Sequence, residues 1–188
     1  MKQLILSLLL AVCTVCTAQT DHMKFKGVPM DGTLESFTSK LEAKGFTSIG
    51  IQDGISILNG EFASYKDCTI AVMSDNSGMI CKVCVIFPKM DQWKELGKCY
   101  DGMKKMLTDK YGSPTKCEEK FFDGYDEEGS NKIYAIQFDK YKYYSEFSCE
   151  EGDIVLEICH NGLSCCVTLS YLDNINQEKL RKQIMDDL

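Results

Sequence analysis

The chain lacks the short motifs that carry most familiar enzyme chemistry. It has no G-x-S-x-G elbow, no H-E-x-x-H pair and no Gly-rich phosphate loop. Histidine is scarce, with His22 and His160 the whole supply. A structural zinc site would need a second ligand cluster, and Cys165-Cys166 is adjacent rather than C-x-x-C, so no metal and no cofactor is expected. Positive charge is in deficit: 21 basic residues face 28 acidic ones, for a net charge of −7. An acidic surface repels phosphate backbones and anionic headgroups, so nucleic acid is not an expected partner. No apolar run after Ala18 is long enough to span a bilayer, so no transmembrane segment is expected.

What is present begins at the first residue. Met1-Lys2 gives one positive charge, an apolar run extends from Leu4 through Val15, and Cys16-Thr17-Ala18 offers small residues to a signal peptidase. This pattern predicts a secretory signal peptide over 1–18, cleaved after Ala18. Residues 19–188 then form one α+β domain in a periplasmic, outer-membrane-associated or extracellular location. Lipid anchoring is not expected, because Val precedes both Cys13 and Cys16 where a lipobox wants a small residue.

Eleven cysteines are encoded, and nine remain after cleavage. An odd number cannot all pair within one chain. Export permits disulfides, and buried free cysteine packs as a small apolar residue.

Residues 19–24 read as a polar, flexible lead, and Phe25 to Met30 as a short edge strand. Thr33 to Lys44 is a short amphipathic helix. Ile55–Leu58, Glu61–Tyr65, Cys68–Met73 and Met79–Phe87 read as a four-stranded meander, with Asn59-Gly60 as its first hairpin turn. The strongest helix is 91–111, capped by Asp91, with Trp93, Leu96, Tyr100, Met103, Leu107 and Tyr111 on one stripe. Further strands are expected at 117–122, 132–138, 141–149, 153–159 and 163–172, the last two joined by a turn at Asn161-Gly162. A final helix starts near Asn176. The order is helix, about four strands, helix, about four strands, helix. Lys40–Ser48 and Lys105–Ser113 also match in pattern, which suggests duplicated half-repeats over 24–87 and 88–175.

A leader followed by two helix-plus-four-strand halves resembles the beta-lactamase-inhibitor-protein fold and related small exported domains of bacterial envelopes. These include outer-membrane assembly lipoproteins with a shorter helix-sheet unit. The phrase Phe25-Lys26-Gly27-Val28-Pro29-Met30-Asp31-Gly32-Thr33-Leu34 is similar to the opening of uncharacterised exported bacterial proteins. The resemblance implies an antiparallel sheet with helices packed on one face, and it carries over no site residue.

Several residue groups could carry function. Cys81-Lys82-Val83-Cys84 has redox spacing, but it lies in an expected strand, where residues three apart face opposite ways. A catalytic C-x-x-C sits instead at a helix N-terminus. A thiol-disulfide oxidoreductase using Cys81 and Cys84 is the rival to a binding role, and a lipid-anchored structural envelope component is a third possibility. The preferred disulfide is Cys68–Cys84, across a three-residue loop in the Asp75–Gly78 hairpin; a two-residue loop would put Val85 opposite Cys68 instead. A turn at Asn161-Gly162 makes Cys159 and Cys165 only diagonal neighbours. The acidic run Asp123 to Gly129 lacks calcium-loop spacing and reads as a solvated loop. Tyr141, Tyr143 and Tyr144 offer rigid amphipathic area and are the candidate binding surface. With no catalytic signature, the expected role is an exported, non-catalytic protein that recognises another protein through a sheet face.

Overall fold

The computed structural model describes residues 21–75, 77–122 and 129–186. The signal peptide expected over 1–18 and most of the acidic run from Asp123 lie outside the described residues.

The first two strands, β1 (Lys24–Phe25) and β2 (Val28–Pro29), form their own hairpin. Helix α1 (Leu34–Glu42) follows, then strands β3 (Thr47–Gln52), β4 (Ile55–Phe62), β5 (Tyr65–Ser74) and β6 (Ile80–Ile86). Helix α2 (Trp93–Tyr111) opens the second half. After it come β7 (Lys116–Phe121), helix α3 (Gly129–Gln137), β8 (Tyr141–Ser148), β9 (Gly152–Asn161) and β10 (Ser164–Asp173), with helix α4 (Asn174–Asp186) last. The two meanders form one antiparallel eight-stranded sheet in the order β3-β4-β5-β6-β10-β9-β8-β7. Their last strands, β6 and β10, make the join. The fold is therefore α+β with helices packed on the sheet.

Period-2 alternation explains the layers. In β5 Cys68, Ile70 and Val72 are buried, and in β9 Ile154, Leu156 and Ile158 are buried. Together with Val83, Val85, Val167 and Leu169 they make the face onto which the helices pack. Helix α1 adds Leu34, Phe37 and Leu41, and α2 adds Leu96, Tyr100, Met103 and Leu107, spaced as a 3.6-residue stripe requires. Thr33 caps α1 by accepting from the Ser36 N–H at 3.3 Å. Gly112, at φ 85°, ends α2 where a side chain would be strained.

Several expectations are corrected. Residues 132–137 of the expected strand are helical. Their β-branched and aromatic content mimics a strand, but Ala135 and Ile136 are buried and α3 docks on α2, β9 and β10. Strand β3 is unexpected from sequence because it is an exposed edge with no buried alternation. Asn59-Gly60 is no turn: both lie inside β4, and the hairpin turns at Ala63-Ser64, both at positive φ. Glycine is needed at position 60 for another reason, since a Cβ there would run into the Phe46 ring. Asp91 does not cap α2; Gln92 occupies that position without a side-chain bond. The expected lead and edge strand are also different. Met23 and Phe25 are buried, and Phe25 stacks on Phe62 at 5.6 Å between ring centroids.

Candidate binding surface and its thiol pair

The tyrosines proposed as a surface are divided between the two faces of β8. Tyr143 points under the helices, in edge contact with Trp93 at 5.3 Å and Tyr100 at 4.9 Å between ring centroids. Burial pushes its phenol up to about 12. Tyr141 lies on the same face and donates its hydroxyl to the Ile158 carbonyl at 3.0 Å. Tyr144 faces the other way and donates to Glu118 at 3.3 Å. No single docking patch contains all three, and two of them are packing residues.

The face opposite α1, α2 and α3 can be followed row by row from the register. One row runs Gly50, Ile57, Ala71, Cys84, Ser170, Val155, Glu146 and Lys116 across all eight strands. It changes from apolar at the β3 side to charged at the β7 side. At the charged side Lys116 bonds Glu146 at 3.1 Å, and Glu118 meets Lys120 at 2.9 Å and Lys142 at 3.6 Å. At the apolar side Ile49 and Ile55 are 64% and 37% exposed, and Ile51, set on the α1 side of β3 by its pairing with Ser56, is 45% exposed. With Ile57 and Gln52 they line an open trough of about 480 Å³ along the sheet edge. A register shift between Ser48 and Gly50 marks a bulge in this strand, a common feature of edges.

Cys81 and Cys84 both lie on β6, as the redox-negative reading requires. Burial raises both thiols, the opposite of an activated nucleophile. The Cys68–Cys84 pairing is not formed. The register sets Cys84 opposite Ala71, and Cys68 points to the helix side with Ile70 and Val72. A shift of register, here with a bulge between Met73 and Ser74, changes such assignments, which is why the loop length could not decide it.

The same effect creates a pair that the sequence reading missed. The β9–β10 hairpin turns at Gly162-Leu163, with Gly162 at φ 60°, rather than at Asn161-Gly162. Cys159 is therefore directly opposite Cys166, and their sulfurs are 3.5 Å apart. The Thr168 hydroxyl lies 3.9 Å from the Cys159 sulfur. The bond from Cys166, then the Thr168 hydroxyl, pull the Cys159 thiol down to about 7, while the shared proton and burial push Cys166 up.

A second polar group joins α2 to β7 and β8. Lys104 pairs with Glu119 and sits 3.3 Å from the Cys117 sulfur, and the buried Tyr100 hydroxyl meets Ser145 at 2.7 Å. These bonds satisfy one another at the edge of the core. Among the described residues no group of three or more His, Cys, Asp or Glu side chains could hold a metal ion, and no helix is long and apolar enough to cross a membrane. No family model matches the chain, and no curated protein or solved structure matches it either.

Proposed function

We propose that this chain is an exported, non-catalytic binding protein that recognises another protein through the β3–β4 margin of its sheet. The observation that supports it is the exposed isoleucine trough on a free sheet edge. Apolar area of this kind gains by leaving water, and an edge strand offers main-chain hydrogen bonds to an added strand. The charged rows on β7 and β8 would keep the far side of the same face solvated. In this reading the surface moves from the tyrosines of β8 to the isoleucines at the opposite end of the sheet.

The leader over 1–18 supports export, and its fate is read from the intact mass of the processed protein. Cleavage after Ala18 removes Cys13 and Cys16, whereas a lipid-anchored envelope component would retain one of them, acylated. The order α1-β3-β4-β5-β6 and α2-β7-β8-β9-β10 supports the resemblance to the beta-lactamase-inhibitor-protein fold and an origin by duplication, with α3 as an insertion in the second half. The thiol-oxidoreductase alternative at Cys81 and Cys84 draws no support from their raised thiols.

The test places a photoreactive residue at Ile51 and, in a separate variant, at Tyr144, in protein exported by its own host. The expected result is an adduct to a distinct polypeptide from position 51 and none from position 144. Adducts only to a second copy of this chain, or equal yields from both positions, would overturn the assignment.

A further inference from the structure

We propose that Cys159 and Cys166 form a reversible dithiol–disulfide site on the face of the β9–β10 hairpin opposite α1–α3. Directly opposed positions of an antiparallel pair hold Cβ atoms about 4.5–5.5 Å apart, close to the span a disulfide needs. The sulfurs are already in contact at 3.5 Å. Bond formation at about 2.05 Å asks for a further approach of roughly 1.5 Å, within the reach of two side-chain rotations.

The surroundings select this pair over the other thiols. Both sulfurs are half-buried and lie on the face without α1–α3, so a small oxidant can reach them. Cys165, next in the chain, is fully buried on the helix side. Cys84 is buried and stands opposite Ser170 rather than a thiol. Cys117 is exposed, but its contacts are Lys104, Glu119 and Ser145. Cys149 bonds the Gly152 carbonyl.

The chemistry balances with a small-molecule disulfide as oxidant. The Cys159 thiolate attacks one sulfur of that disulfide and forms a mixed disulfide, and the first thiolate leaves. Cys166 gives its proton to the departing thiolate and attacks the Cys159 sulfur, which expels the second thiolate, and that thiolate takes up from water the proton that Cys159 gave to water. Two protein thiols lose two electrons to one disulfide bond, and the oxidant becomes two thiols. The lowered Cys159 thiol and raised Cys166 thiol agree with these separate roles of attacking and resolving groups.

The experiment treats the full chain with oxidised glutathione, blocks remaining thiols, and cleaves with chymotrypsin at the exposed Leu163, which separates the two cysteines. The expected product is a peptide pair held by Cys159–Cys166 and released by dithiothreitol. Cys165→Ser should leave it unchanged. Cys166→Ser should lose the bond entirely and accumulate one glutathione on Cys159, because nothing resolves the mixed disulfide. Circular dichroism of each variant confirms that the sheet persists. Linkage of Cys159 to another cysteine would overturn the proposal. So would persistence of both thiols while Cys117 becomes glutathionylated.

Discussion

Replacing Asp173 with alanine should destabilise the protein more than any surface change. Its side chain is fully buried, and it joins two ends of the chain. One oxygen accepts from the Met23 N–H at 2.7 Å, and the other accepts from the Asn176 N–H at 2.8 Å, capping α4. His22 approaches both oxygens at 3.1 Å. Hydrogen bonds to a charged group contribute about 1.5–3 kcal/mol each, and a buried N–H left alone costs a comparable amount. Two such bonds from buried donors give an expected loss of about 4 kcal/mol in Asp173→Ala. His22 adds less, because its ring is a quarter exposed and screened by water. For a chain of this size that loss lowers Tm by about 8–16 °C. Asp173→Asn keeps one acceptor oxygen and should fall near half that loss. Urea unfolding followed by Trp93 fluorescence reads both variants. An alanine variant within about 1 kcal/mol of the parent, at unchanged m-value, would refute the claim that this carboxylate clamps the N-terminal hairpin to β10.

Two further expectations follow from side-chain placement. Tyr143→Ala should cost about 3 kcal/mol, since it removes a ring packed against Trp93, Tyr100 and Phe121. Tyr144→Ala should cost far less, and equal losses in thermal unfolding would contradict the assigned faces. His160 should titrate above its ordinary 6.5, because its Nδ1 bonds the Gly162 carbonyl at 3.0 Å and its Nε2 meets Asp139 at 3.1 Å. The raised value means that its contribution to stability is full below 6.5 and is lost as pH rises through the folded value. An NMR titration of Asp139→Asn should move His160 back toward 6.5, and an unmoved midpoint would remove Asp139 as a cause.

Local pattern determined the main helix and most of the strands. The stripe from Trp93 to Tyr111 has one consistent period, and Gly112 ends it by a backbone requirement that other residues meet poorly. The alternation in β5, β6, β9 and β10 likewise states which residues leave water. Residues 132–138 show where local signals run out. The segment suits either period, and docking against α2, β9 and β10 settles it as helix. Asn59-Gly60 has the composition of a turn, yet the demand for space came from Phe46, which is distant in sequence.

The candidate sites depended on tertiary structure for a related reason. The composition of β3 shows three polar residues, a glycine and two isoleucines, and nothing in it announces a sheet edge. The eight-strand order leaves that strand with one neighbour and exposes Ile49 and Ile51. The sequence contains nine cysteines after residue 18 but does not fix who faces whom. Moving the β9–β10 turn by one residue replaces Ser164 with Cys166 as the partner of Cys159. Hydrophobic periodicity settles which side of a strand is buried, because that choice is made residue by residue. Register and strand order are choices among whole strands, and only packing of the complete sheet selects them.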